Sequence, residues 1–381
     1  MKKLIAVAVV LALVVGTAFA VDLGGTVFGH VNVLEGDTGK DAAGDATPIK
    51  GSADFNRARI DGSGEVADGA FGGYIRIDSG GFSDAFAFWK PIDQFKLIIG
   101  NNGDGMWTKD GVTGWGFNQM PNDSGIAINP GIWFGSWDDT IYSGGHKPMN
   151  SRYTFTEGVT EDAALLEFRF DIVGVNIGIP FFRGGELEDI FKAIYAQVDL
   201  NFDFGNIVIT YDGGGRSVTN FGDAGALFLY YGGSFGDLGL DVGFSYHMAD
   251  DADVAVPPIG VGLGVKYASD AFGIKFKVTA ALGGDKKYEN MTYVNASLLP
   301  YYAFNDNVSA FLNAGLGMVA GKDDTAVGFF VNPYLRVGAE WGPTFYAGIK
   351  LWSDLAVDGK YADGSDSVLK FAVPISLMVS F

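Results

Sequence analysis

The chain has 381 residues, a formal net charge of −19, 48% hydrophobic residues, 57 glycines and no cysteine. The lack of cysteine excludes disulfides, thiolate metal sites and cysteine nucleophiles. The large acidic excess argues against a nucleic-acid partner, because the phosphates of nucleic acids repel an acidic surface.

The first twenty residues have the pattern of an export signal. Two lysines precede an apolar segment, 4–15, and small residues at 18 and 20 form a small-x-small cleavage pattern. The apolar segment is shorter than the roughly 20 residues that a membrane-spanning helix needs. We therefore predict a cleaved signal peptide over 1–20 and a single domain over 21–381, with an N-terminal membrane anchor as the alternative.

The next part of the chain contains five segments in which apolar residues recur at every second position, as in a half-exposed strand. The predicted strands are Leu23–Val33, Ala53–Glu65, Phe71–Ser79, Phe82–Trp89 and Gln94–Gly100. The segment that follows, 101–162, fits no pair of strands and holds four of the seven tryptophans. A segment of this length without regular structure is usually functional.

Thirteen further strands are predicted from Ala163 onward, and the last one shows the alternation best. From Leu369 to Phe381 the odd positions are all apolar, whereas the even positions are Lys, Ala, Pro, Ser, Met and Ser. Successive side chains of a strand point to opposite faces, so one face is apolar and the other is polar or small. The same alternation places these charged residues on the polar face: Glu167, Arg169, Asp171, Asp199, Asp241, Lys266, Lys275, Lys277, Arg336, Lys350 and Lys370.

The connections between these strands alternate in length. Short connections are predicted at 173–174, 205, 236–237, 269–271, 305–306 and 342–343, and longer ones lie between them. Transmembrane β-barrels combine short periplasmic turns with longer extracellular loops. The sequence therefore predicts an all-β, antiparallel transmembrane barrel of about 18 strands, with 16–20 allowed. Segment 101–162 is then either an extracellular hairpin or a loop folded into the lumen.

The export signal, the alternating strands, the alternating connection lengths and the terminal Phe381 together resemble the general bacterial porins. The last strand, with Phe371, Val379 and Phe381, is similar to the C-terminal signal read by the outer-membrane barrel-assembly machinery. Pro374 departs from an ideal strand, because proline donates no hydrogen bond to the ladder. The resemblance implies a bacterial outer-membrane location, contact with outer-membrane lipids and a homo-oligomer as one option. It also implies passive diffusion of small hydrophilic solutes.

Two charge patterns bear on selectivity. The basic residues of the last seven strands would face the acidic residues of the middle strands, and such a transverse field resembles the constriction of general porins. The alternative is that these charges only keep the lumen wet. The predicted outer loops together carry sixteen more acidic than basic residues. They are 34–52, 101–162, 183–189, 212–223, 249–257, 283–290, 319–325 and 353–365. An acidic mouth concentrates cations, so we predict a weak preference for cations.

Six aromatic residues lie beside the predicted short turns, as expected for the aromatic girdle of a barrel. They are Phe204, Phe235, Phe272, Phe304, Trp341 and Phe345.

Other functions have less support in the sequence. A plugged structural or adhesin barrel is the main alternative to a channel. A barrel hydrolase would need His247 with Asp250 or Asp251, near which no nucleophile motif lies. We therefore expect no enzyme activity, no cofactor and no metal site.

Overall fold

In a computed structural model the described residues are 20–39, 48–66, 68–78, 81–102, 163–180, 194–212, 226–247, 259–282, 292–320, 325–338, 343–356 and 369–380. All regular secondary structure in these ranges is β-strand, and none of them contains a helix that could cross a membrane. The strand segments are β1 Ala20–Asp37, β2 Lys50–Val66, β3 Phe71–Asp78, β4 Gly81–Ile92, β5 Phe95–Asn102, β6 Ala163–Phe170, β7 Val173–Pro180, β8 Tyr195–Phe202, β9 Gly205–Asp212, β10 Ala226–Phe235, β11 Leu238–His247, β12 Ile259–Ala268, β13 Phe272–Leu282, β14 Thr292–Asn305, β15 Val308–Ala320, β16 Thr325–Val337, β17 Thr344–Gly348, β18 Lys350–Ala356 and β19 Lys370–Ser380.

The strands form one closed antiparallel ring. Each strand from β1 to β16 pairs with the next one along the chain, and β1 also pairs with β19. The short segments β17 and β18 both pair with β16 on one side and β19 on the other, so they are two parts of one barrel strand. The ring therefore has eighteen strand positions within the described residues, as predicted. A closed ring leaves no sheet edge to pair with another chain.

The interruption between β17 and β18 lies between two prolines. The pairing of β17 and β18 with β19 skips the position of Pro374, and Ile349 donates its backbone N–H to Pro333 O of β16 at 3.0 Å. A proline has no N–H to donate to a ladder. Each proline thus leaves its own strand with one donor fewer beside Ile349, and the gap in the pairing with β19 confirms the local disturbance expected at Pro374.

The two faces of the sheet differ as the alternation predicts. On β15, Leu312 is 39% exposed on the outer face, whereas its neighbours Phe311 and Asn313 are 5% and 0% exposed on the inner face. The same outward exposure recurs on strands around the ring, for example at Leu229, Leu263 and Leu335. Soluble proteins rarely expose contiguous apolar surface of this extent. The outer face is therefore suited to an apolar surrounding phase.

Several predicted boundaries were wrong by one or two residues. The β6–β7 turn is Asp171-Ile172 rather than 173–174, because Phe170 pairs with Val173 and closes a two-residue hairpin. Likewise, Asp203-Phe204 forms the β8–β9 turn just before the predicted position 205. The turn predicted at 305–306 lies at 306–307. In each case the turn is still short, as predicted.

Strand residues also extend into segments predicted as loops. β1 continues to Asp37, β2 begins at Lys50, and β5 continues to Asn102. The remaining parts of the predicted loops 34–52 and 101–162 lie almost entirely outside the described residues, as do the signal-peptide residues 1–19.

Aromatic side chains surround the short-turn end of the ring on its outer face. Five of the six predicted girdle residues are exposed there, and Trp341 lies outside the described residues. Further pairs join them, including Phe202 and Phe204 with ring centroids 5.1 Å apart and Tyr302 and Phe304 at the same separation. Such a band is the surface that a barrel presents at a membrane–water interface.

Candidate functional site

The inner face of β12 to β19 is basic. These strands contain Lys266, Lys275, Lys277, Arg336, Lys350 and Lys370, and Asp354 is their one acidic residue. Lys266 and Lys275 are register partners on β12 and β13, and the stem of Lys266 lies across Gly239 of β11. Lys370 pairs in register with Asp37 of β1. Lys277 lies on β13, but its side chain is outside the described residues.

Aromatic rings support the cations of this basic wall. Tyr301, Phe311 and Tyr334 stack across three strands, with ring centroids 5.5 Å and 4.8 Å apart. The Arg336 guanidinium carbon lies 5.4 Å from the centroid of Phe311, and Lys350 Nζ lies 4.7 Å from that of Trp352. An aromatic face attracts a cation at these distances, so the rings hold both charges near the wall.

Two of the predicted acidic residues lie across the ring from the basic wall. Counting β17 and β18 as one position, Glu167 on β6 is nine strands from β15, and Asp199 on β8 is nine strands from Lys350 on β18. Asp199 accepts a hydrogen bond from Gln197 Nε2 at 2.5 Å, and its Oδ2 lies 3.7 Å from Arg169 Nη1. Gln197 and Arg169 hold the Asp199 carboxylate in place, and the charge of Arg169 partly offsets the negative charge of Asp199 at the lumen.

The other two predicted acidic residues are placed differently. Asp241 lies on β11 beside Lys266-bearing β12, so it adjoins the basic wall instead of opposing it. It accepts a hydrogen bond from Tyr230 Oη at 2.6 Å. Asp171 is exposed in the β6–β7 turn, and its predicted place on a lumen-facing strand was wrong. The strand ends one residue earlier, and aspartate is favoured in turns.

Sequence reasoning missed inward-facing charges on the N-terminal strands. On β2 and β3, Asp61 Oδ1 accepts hydrogen bonds from Arg76 Nε at 2.6 Å and from Tyr74 Oη at 2.5 Å. The outward Ile75 and Ile77 alternate with Tyr74 and Arg76, so the signal was present in the sequence. The strand has only eight residues, two of them glycine, so the alternation there is short.

A polar cluster joins the first two strands at the end opposite the short turns. Glu35 Oε2 accepts hydrogen bonds from Asn32 Nδ2 and Ser52 Oγ, both at 2.8 Å, and Glu35 Oε1 lies 3.5 Å from Lys50 Nζ. Nearby, Thr38 N–H donates to Leu369 O at 3.0 Å and continues the pairing of β1 with β19. The ring closure is thus reinforced beyond its ladder.

The predicted assembly signal lies on the strand that closes the ring. Phe371 and Val379 belong to β19 and pair in register with Gly36 and Val27 of β1. Phe381 lies outside the described residues, as do Asp250 and Asp251, whereas His247 ends β11. The geometry therefore leaves both the assembly signal and the hydrolase alternative as predictions.

The chain is similar to known proteins in fold but not in sequence. No protein-family model and no curated protein matches the sequence. The anion-selective porin from Comamonas acidovorans aligns with 95% of this chain and 100% of its own, with a TM-score of 0.50 at 11% identity. The chain has the barrel fold of the bacterial porins. The outer membrane channel DcaP of Acinetobacter baumannii aligns over 95% of this chain and 97% of its own, with a TM-score of 0.46 at 12% identity.

At such low identity the likeness shows the fold alone. What this barrel can conduct or bind depends on its own inner face, with the basic wall of β12 to β19 and the acidic residues Glu167 and Asp199 across the ring.

Proposed function

We propose that the chain is an outer-membrane channel for the passive diffusion of small hydrophilic solutes. The observation that carries this proposal is a closed eighteen-position ring with an apolar outer face and charged residues on its inner face. Barrels of 16–18 strands are wide enough to enclose an aqueous channel. Residues 1–20 would be removed on export, and Phe371, Val379 and Phe381 would guide assembly into the outer membrane.

The channel should weakly prefer cations. The segments that connect the strands opposite the short turns carry thirteen more acidic than basic residues. They are 40–47, 103–162, 181–193, 213–225, 248–258, 283–291, 321–324 and 357–368. Fixed negative charge at a mouth raises the local cation concentration. The Comamonas porin is named as anion-selective, but the selectivity of this chain depends on its own charges.

Planar-bilayer recording of the refolded chain 21–381 tests both statements. We expect discrete ohmic conductance steps and, in a KCl gradient, a reversal potential of the sign that cation selectivity produces. An anion-selective reversal potential would refute the preference but leave the channel in place. Gel mobility that changes on heating verifies that the barrel has formed, so a folded barrel without conductance would refute the channel.

A plugged structural or adhesin barrel is the second candidate, and one observation favours it. Leu299, Asn313, Phe330 and Asn332 all point inward from β14 to β16, yet each is at most 1% exposed. Inward side chains of an open, water-filled lumen would be wetter than this. A folded barrel that shows no conductance in the same recordings would therefore support the plugged candidate.

The basic wall should restrain the preference for cations. We expect Lys266→Glu to raise the ratio of cation to anion permeability by about twofold, because it replaces a positive charge by a negative one at an exposed inner position. The reversal potential in a KCl gradient measures this ratio. Lys266→Arg, which keeps the charge, is the matched control and should leave the ratio unchanged. Equal ratios for both variants would show that Lys266 does not face the ion path.

A further inference from the structure

A cavity of about 390 Å³ opens at the short-turn end of the inner wall, between β2 and β6. Four carboxylates line it, those of Glu65, Asp68, Asp93 and Glu167. Three cations share the lining, Lys90, Lys96 and Arg169. The lining therefore has one more negative than positive group.

The three cations of this cavity already have neighbours. Lys90 Nζ donates a hydrogen bond to Asp93 Oδ1 at 2.8 Å, which holds the pKa of that turn carboxyl below its usual range. Lys96 Nζ lies 4.0 Å from the ring centroid of Phe88. Arg169 Nη1 donates to Phe168 O at 3.2 Å and reaches Asp199, outside the cavity, at 3.7 Å. Lys90 and Lys96 thus each have a side-chain neighbour that also lines the cavity, Asp93 and Phe88 respectively.

The Glu167 carboxylate is different. Glu167 is only 6% exposed, and within the described residues no hydrogen bond or ion pair reaches its carboxylate. Glu65 and Asp68, at the end of β2 and in the following turn, also receive no hydrogen bond or ion pair within the described residues, but both are exposed to water. A carboxylate buried without a donor is unfavourable unless a ligand or water supplies one. The cavity therefore holds one buried acceptor that an ammonium group would satisfy, the Glu167 carboxylate, beside the water-exposed carboxylate of Glu65.

We propose that this cavity binds a small amino-carboxylate with a net positive charge, the chemical class of the basic amino acids. Its ammonium groups would bind Glu167 and Glu65, and its carboxylate would bind Arg169, whose planar group suits a carboxylate. A ligand with two ammonium groups and one carboxylate balances the one excess negative charge of the lining. Its role in transport rests on the channel function proposed above, whereas binding itself does not.

Three probes of one family dissect the charge requirement. Isothermal titration calorimetry of the refolded chain 21–381 in detergent would use L-lysine, 1,5-diaminopentane, which lacks the carboxylate, and 6-aminohexanoate, which lacks the α-ammonium. We expect saturable binding of L-lysine and about tenfold weaker binding of each of the other two, because each loses one charged hydrogen-bonding group. Equal affinity for all three would overturn the proposed recognition.

Variants of the cavity residues show which side chain binds which charged group of the ligand. Glu167→Gln should weaken the binding of L-lysine and of 1,5-diaminopentane alike, by about tenfold. Arg169→Gln should weaken the binding of L-lysine and 6-aminohexanoate, which carry a carboxylate, and leave that of 1,5-diaminopentane unchanged. Asp237→Asn removes one charge from an exposed turn at the same end of the ring, outside the cavity, and should leave every affinity unchanged. If Glu167→Gln does not fold, the exposed Glu65→Gln tests the same ammonium contact. Unchanged L-lysine affinity in a folded Glu167 or Glu65 variant would overturn the site.

The outcome for this site is separable from that for the channel. A protein that conducts in bilayers but shows no saturable L-lysine binding would refute the cavity proposal alone. A protein that binds L-lysine but never conducts would refute the channel and leave the binding site standing.

Discussion

Replacing Leu312 by arginine is expected to lower the free energy of unfolding in a lipid bilayer by about 2–4 kcal/mol. Leu312 lies near the middle of β15, pairs with Pro333 of β16 and points outward, away from the buried Phe311 and Asn313. A guanidinium at this depth would have to leave water and enter hydrocarbon, with no acidic side chain on β14 or β16 to pair with it. Urea titration of the barrel in phospholipid vesicles, followed by tryptophan fluorescence, measures the change.

Leu312→Ala is the matched control for that prediction. It removes the same apolar side chain without adding a charge, so it should cost clearly less than the arginine variant. Equal unfolding free energies for the two variants would show that this position does not face lipid. The prediction is also independent of conductance, because it tests the outer face of the ring and not its lumen.

The alternation of β15 and β19 was enough to predict their faces from sequence, because the side-chain period of a strand admits only two phases. Leu312 and Leu377 are exposed on the outer face, as predicted, and Asn313 and Ser376 are buried on the inner face. The strand number followed from the same periodicity. Periodicity cannot show where a strand ends, because the alternation of apolar and polar residues can continue from the strand into the turn.

Asp171 shows this limit. It continues the alternation of β6, yet pairing of Phe170 with Val173 places it in the turn. The pairing depends on β7 as a partner, and no single strand contains that information. The position of Asp241 illustrates a second limit, because its place relative to the basic wall depends on which strands are neighbours in the closed ring. The cavity lined by Glu65, Lys96 and Glu167 combines three strands in the same way.

Replacing a glycine at a strand end is expected to have the second large effect on the free energy of unfolding. Gly205 begins β9 with a φ of +149°, and a Cβ added there would lie 2.5 Å from Gly232 O and 3.0 Å from Gly233 Cα of the adjacent β10. Both contacts are with backbone atoms that the sheet holds in place, so they cannot move aside as a flexible side chain would. Gly205→Ala is therefore expected to lower the free energy of unfolding by about 3 kcal/mol, through backbone strain and overpacking together.

Gly236→Ala separates these two causes. Gly236 also has a positive φ, of +62°, but no heavy atom lies within 4 Å of its added Cβ. An alanine there has only the cost of a left-handed backbone, about 1–2 kcal/mol. Vesicle-based urea titrations should thus rank Gly205→Ala below Gly236→Ala in stability. The opposite order would mean that β9 and β10 do not approach each other as closely as the ring requires, and that the lumen near this turn is wider than described.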